Sequence, residues 1–169
     1  MQLANEPPSH IIVPCVHKTL PQIVKLFSEN HKQYGFQEEL SQAADLVAEA
    51  RKVMRQKFLN ADIGMTGANF LVAETGSSVL ITNEGNGDLC STLPKVQIVT
   101  TCIEKVVPTL DDASILTRLL APSATGQQIT AYTTFTTGPK RSGDVDGPEE
   151  MHIVLIDNNR TSLLNSELS

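Results

Sequence analysis

The sequence predicts a mixed α/β fold, and three observations carry that prediction. Apolar residues recur at helical spacing in two segments, short apolar runs bounded by turn residues alternate with them, and the composition is that of an ordinary globular chain. The chain has 169 residues, 40% hydrophobic and 19% charged, which is one domain's length and enough to bury a core without disulfides or metals. Its 10 Gly and 9 Pro are close to average usage, which excludes a collagen-like or broadly disordered chain.

Taken in order, Ile11, Ile12 and Val13 form an apolar run closed by Pro14, which predicts a brief buried strand. Thr19 with Pro21 predicts the start of a short helix running through Phe27. The longest helix is predicted over residues 38–59, where Leu40, Ala44, Val47, Met54 and Phe58 form an apolar stripe interrupted by Arg51. Glu38 and Glu39 open it, and Arg51, Lys52, Arg55 and Lys57 gather toward its end. That order complements the helix dipole, so the basic cluster reads as a solvated helix end and not as a phosphate patch. Phe70–Ala73, Val79–Ile81, Val96–Val99 and Ile153–Ile156 are continuous apolar runs, predicted to be strands buried on both faces. The first two are too close for a helical crossover and are predicted to pair antiparallel, which makes the sheet mixed. Between the last two, Thr109 with Asp112 fits a capping box, and Ile115, Leu116, Leu119 and Leu120 supply the stripe of a helix over 110–120 that Pro122 closes.

A net charge of -6 argues against a nucleic-acid groove or an anionic membrane surface as partner and leaves a small molecule or a protein. No apolar stretch is long enough to span a bilayer, and the first ten residues lack a signal-peptide pattern, so the expected location is cytoplasmic. Cys15, Cys90 and Cys102 stand far apart in no CxxC spacing and are expected to be reduced, mostly buried thiols. His10, His17, His31 and His152 make no metal-ligand spacing, and His152 is expected as a satisfied core histidine. No metal site is predicted. The GxSxG, P-loop and GxGxxG fingerprints are absent.

Three loops carry the chemistry. The first, Glu74-Thr75-Gly76-Ser77-Ser78, offers a carboxylate, hydroxyls and a glycine that allows close backbone approach to an anionic ligand; the alternative is a turn that uses these residues for geometry. The second, Thr82-Asn83-Glu84-Gly85-Asn86-Gly87-Asp88, follows the next strand. If the two loops meet, Glu74 and Glu84 share a pocket and suit acid-base or nucleophilic work; the alternative is a hairpin bend at Asn86-Gly87. The third, from Gly138 to Glu150, is a long segment that brings Lys140 and Arg141 within reach of a carboxylate or phosphate. Its Asp144-Val145-Asp146-Gly147 stretch lacks the remaining ligands of a calcium loop. Lys95, after Leu93-Pro94, is a further basic candidate.

These motifs form an ordered set. Ala61 to Phe70, Ala73-Glu74-Thr75-Gly76-Ser77, Thr82 to Asn86, Leu93-Pro94-Lys95, Glu104 to Pro108 and Gly143 to Glu150, with Pro7-Pro8-Ser9-His10-Ile11-Ile12 and His17-Lys18 upstream, closely resemble the lactate utilization protein B family and its LUD domain. The resemblance covers nearly the whole chain. It implies a fold of the NagB/RpiA/CoA-transferase-like type, with a mixed sheet and flanking helices. It also implies a part in oxidising L-lactate to pyruvate beside companion lactate utilization subunits, with electrons passed through iron-sulfur clusters. Family members begin before residue 1 and continue into a ferredoxin-like region whose CxxCxxCxxxCP motifs hold the clusters. Residues 1–169 are therefore expected to be a partial LUD domain that carries no cluster itself, because none of its cysteines corresponds to a cluster ligand.

By analogy with the implied fold, Glu74 and Glu84 are the catalytic candidates, and Thr75, Gly76, Ser77, Asn83, Gly85, Asn86 and Lys95 are the ligand-binding ones. Asp144, Asp146, Gly147 and Glu149 are expected to form a lid or partner loop. The expected role is to organise a substrate, a small anionic metabolite, or a partner subunit within the lactate-oxidising complex. The alternative is a stand-alone CoA-transferase-like or sugar-phosphate-binding enzyme that uses one of the two glutamates as nucleophile or base. A homodimer that covers otherwise bare strands is a third expectation.

Overall fold

A computed structural model describes every residue except 11–12, 37–39, 164–165 and 167–169. The chain divides into two compact units, Met1–Lys57 and Phe58–Ser169. The strand expected at Ile11–Val13 and the acidic opening at Glu38 and Glu39 fall largely outside the described residues, and Val13 itself lies in a bend.

The first unit is helical. Thr19 caps α1 (Leu20–Asn30) as expected, with Pro21 in the first turn; its N–H donates to Gln22 Oε1 at 2.9 Å. The helix passes into a 3-10 turn over His31–Tyr34 that ends on Gly35, at φ 86°. The long helix α2 spans Ala43–Leu59 and starts later than the sequence pattern implies. Its buried residues are Leu46, Glu49 and Val53, whereas Val47 and Met54 of the expected stripe are exposed. The face was misread because its middle position is a glutamate. His31 supplies the reason: its Nδ1 meets Glu49 Oε1 at 2.6 Å, and both side chains are more than nine-tenths buried. A buried carboxylate is tolerated when a hydrogen-bond partner is buried with it. Phe27 and Tyr34 flank the imidazole.

The second unit contains two sheets. In the first, β1 (Ile63–Gly67), β4 (Val96–Cys102) and β7 (Glu150–Ile156) run parallel in the order β1-β4-β7. In the second, β2 (Phe70–Val72), β3 (Ser77–Thr82), β5 (Val106–Val107) and β6 (Tyr132–Thr136) stand in the order β5-β2-β3-β6. β2 pairs antiparallel with β3, as expected from their spacing, and β5 joins β2 in parallel, so this sheet is mixed. Val72, Val79, Val107 and Ala113 form its core. Ala113 belongs to α4 (Leu110–Thr125), whose capping box is the expected one: Asp112 N–H donates to Thr109 Oγ1 at 3.2 Å. Pro122 does not close α4. It sits in the last turn, and the helix ends at Gly126, whose φ of 72° is the left-handed conformation that glycine adopts without strain.

The apolar run of β7 is not buried on both faces: Ile153, Val154, Leu155 and Ile156 are 41–51% exposed, because β7 is an edge strand. β4 buries one face, through Gln97, Val99 and Thr101. His152 is exposed on β7, with Nε2 3.2 Å from Glu150 Oε2. Cys15 is exposed, and Cys90 and Cys102 are partly buried.

The Asn86-Gly87 pair makes no hairpin. It begins a short helix, α3 (Asn86–Thr92), whose N-cap is Gly85. α3 lies against β1 so closely that a Cβ on Gly64 would fall 1.8 Å from the Cys90 carbonyl oxygen. The described chain ends in α5 (Arg160–Leu163), capped by Asp157, which accepts the Thr161 N–H at 2.8 Å.

Candidate functional site

The first two loops lie at opposite ends of β3. Glu74 sits in the β2–β3 turn and Glu84 follows the far end of the strand. The six residues of β3 hold them apart, about 20 Å at 3.3 Å per residue. The shared carboxylate pocket is therefore absent. Glu74 instead accepts the Leu110 N–H at 2.6 Å, placing a negative charge at the start of α4. Glu84 folds back on Thr82, whose Oγ1 donates to its Oε2 at 3.0 Å. Asn83 holds Ala131 N–H on Oδ1 and Gln127 on Nδ2. Asn86 Oδ1 accepts its neighbour's N–H at Gly87.

The first loop meets Thr137, the residue just before the third loop. Thr75 Oγ1, Ser77 Oγ and Thr137 Oγ1 form a hydroxyl chain with steps of 2.7 and 2.6 Å, which ties the β2–β3 turn, with Gly76 at its corner, to the exit of β6. Beyond Thr137 the segment to Pro148 folds back on itself. Lys140 N–H donates to Pro148 O at 2.8 Å, and Asp144 Oδ2 accepts the Arg141 N–H at 2.7 Å. The segment is anchored by the Thr92 carbonyl, which accepts from Gly147, and by the Lys95 carbonyl, which accepts from Glu149 and Glu150. Lys95 thus contributes its backbone. Long loops in compact domains need such satisfied backbone groups to hold one shape.

Between this segment, β6 and the end of α3 lies a cleft of about 290 Å³. Its walls carry the hydroxyls of Ser91, Thr92, Thr134, Thr136 and Thr137, the cations Lys140 and Arg141, and the carboxylates Asp144 and Asp146. Asp88, on α3, fixes one wall: its Oδ1 accepts the Thr134 hydroxyl at 2.6 Å and its carbonyl accepts from Ser91 and Thr92. Lys140 pairs with Glu149 at 3.7 Å, while the Arg141 guanidinium makes no ion pair among the described residues. The sequence named Arg141, Lys140 and the lid residues; it missed Thr134, Thr136 and Asp88. The signal for them was the run Thr133-Thr134-Phe135-Thr136-Thr137, which alternates about a β-strand and so lines one face with hydroxyls.

Cys15, Cys90 and Cys102 stand on different elements, and among the described residues no three His, Cys, Asp or Glu side chains converge as metal ligands. Burial raises the Cys90 thiol above its ordinary pKa, which opposes the thiolate a cluster would need. These residues do not fit an iron-sulfur centre. Among the described residues no helix is long and apolar enough to cross a membrane.

Parallel and mixed sheets flanked by helices, with a cleft held by a folded-back loop, define a mixed α/β class. Comparison with known proteins makes this particular: the LUD domain model matches residues 6–156, and the chain belongs to that family. It is 48% identical over 163 residues to Lactate utilization protein B of Bacillus subtilis strain 168, covering 96% of this chain and 33% of that protein. It is 46% identical to the protein of the same name from Geobacillus sp. strain WCH70, again over 96% of this chain and 34% of the relative. The uncharacterized electron transport protein YkgF of Escherichia coli strain K12 is 45% identical over 168 residues, 99% of this chain and 34% of its own length. The chain thus spans about a third of the length of these relatives. A crystal structure of a DUF162 family protein from Deinococcus radiodurans aligns with 82% of this chain and 98% of its own, at 18% identity and a TM-score of 0.45.

Proposed function

We propose that this LUD domain serves lactate utilization by holding a small monocarboxylate, L-lactate or pyruvate, in the cleft under the Gly138–Pro148 segment. The observation that carries the reading is Arg141, which lines the cleft together with Ser91, Thr92, Thr134, Thr136 and Thr137 and whose guanidinium makes no ion pair among the described residues. A guanidinium binds a carboxylate through two parallel hydrogen bonds, and threonine hydroxyls complete its shell. Asp144 and Asp146 balance the two cations, so a monoanion suits the cleft better than a phosphate dianion. The volume sits at the lower end of small-molecule sites, about 300 Å³, which favours a three-carbon acid over an acyl-CoA.

On this reading the module presents substrate, while companion subunits and the iron-sulfur region of longer relatives carry the electrons. Glu74 and Glu84 serve structure, as the α4 cap and the Thr82 turn. Asp144, Asp146 and Glu149 belong to the lid. The location remains the cytoplasm. Titration calorimetry with L-lactate and pyruvate tests the proposal: saturable binding is expected for the native chain and for Glu84→Gln, with about tenfold or greater weakening in Arg141→Met. Equal binding by Arg141→Met and the native chain would overturn it, as would loss of binding in Glu84→Gln alone.

A further inference from the structure

The motifs Pro7-Pro8-Ser9-His10 and His17-Lys18 do not line the cleft, yet in the first unit Ser9 meets His17, and His17 and Lys18 both meet Glu6. Ser9 Oγ lies 2.6 Å from His17 Nδ1, and His17 Nε2 lies 3.1 Å from Glu6 Oε2. Lys18 Nζ donates to the other carboxylate oxygen, Oε1, at 2.6 Å. The order is hydroxyl, imidazole, carboxylate, the arrangement in which a serine is activated by a base that a third group orients. We infer that Ser9 is a nucleophile activated by His17, able to accept an acyl group from an activated ester.

Three features of the geometry support this. Lys18 and His17 hold the Glu6 carboxyl below its ordinary pKa, so it stays anionic and accepts the proton of Nε2. That fixes the tautomer with the lone pair on Nδ1, facing Ser9. Pro14 O accepts the Ser9 N–H at 3.0 Å and lies 3.1 Å from Ser9 Oγ, so the single hydroxyl proton has two acceptors in reach, and the activated state is the one in which it turns to the nearer Nδ1 at 2.6 Å. Ser9 is exposed, so an ester reaches it without opening the fold. In the step, a lone pair on Ser9 Oγ bonds to the ester carbonyl carbon while its proton passes to Nδ1. The tetrahedral adduct then expels the alcohol, which leaves with that proton, and the acyl group stays on Ser9. Nothing is oxidised or reduced.

The test uses the whole chain with p-nitrophenyl acetate and peptide mass analysis. The expected result is one acetyl group on the Ser9 peptide, absent in Ser9→Ala and formed about a hundredfold more slowly in His17→Gln. Glu6→Gln, which keeps the shape of the site, also slows it. Because His17→Gln can disturb the local fold, Ser9→Cys supplies a second reading: its thiol should be alkylated by iodoacetamide faster than Cys15, an exposed thiol of the same unit. Acetylation of lysines only, equal rates in the native and His17→Gln chains, or a position-9 thiol no faster than Cys15 would each overturn the inference.

Discussion

At the scale of single residues, the structure turns on a few polar groups whose partners are fixed. Thr109 caps α4 and receives the Asp112 N–H, so Thr109→Ala is expected to lower unfolding free energy by about 1 kcal/mol; a denaturant titration reads it. Gly64 has no room for a side chain. A Cβ there would overlap the Cys90 carbonyl oxygen, and Gly64→Ala is expected to destabilise the second unit by about 3 kcal/mol, because α3 must move off β1. Asp157 carries a pH dependence. Its carboxyl is held below the ordinary aspartate range, first by the Thr161 N–H and then by the Thr161 hydroxyl. A group depressed on folding stabilises the fold above its unfolded pKa and loses that contribution as pH falls through the folded value. The protection of the Thr161 amide, its exchange rate relative to the intrinsic rate at the same pH, is therefore expected to be full at neutral pH and to be lost below about pH 4, and the Asp157→Asn variant should show no such pH-dependent loss.

At the scale of elements, the legible parts were those whose signals are local. The caps at Thr19 and Thr109, the antiparallel β2–β3 pair and the helix over 110–120 follow from spacing and turn chemistry that a few neighbouring residues decide. What was not legible depends on partners distant in sequence. The buried face of α2 runs through Glu49 because His31, 18 residues earlier, meets it. Replacing Glu49 by alanine should cost about 2 kcal/mol, since it strands a buried imidazole, and thermal unfolding of the variant measures this. Of the candidate site, the lid residues and the two cations were readable as a loop with charge. The wall formed by Thr134 and Asp88 was not, because it exists only once β6 lies beside β3 and the Asn86-Gly87 pair opens α3. For the same reason Glu74 and Glu84 looked like neighbours: their loops are near in sequence, but a strand's length holds them apart.

At the scale of the whole molecule, one face of the parallel sheet carries exposed apolar side chains among the described residues. Register places Ile63 beside Val96, Met65 beside Ile98, and Cys102 beside Ile156, all on that face. Ile63 is 57% exposed, Met65 62% and Ile156 42%, where parallel sheets are ordinarily covered on both sides. A hydrophobic dye is expected to bind the native chain, and Met65→Lys with Ile156→Lys should abolish that binding without lowering the melting temperature. Retained dye binding would show that the apolar surface lies elsewhere.

The central claim is that a small monocarboxylate is held at the hydroxyl-lined cleft, and backbone amide shifts in a pyruvate titration followed by NMR address it most directly. The account predicts saturable shifts confined to Ser91, Thr92, Thr134 to Gly138, Lys140, Arg141, Asp144, Asp146 and Gly147, the cleft-lining residues that carry a backbone N–H. Shifts centred on Glu74 or Glu84, or none up to saturating pyruvate, would contradict it.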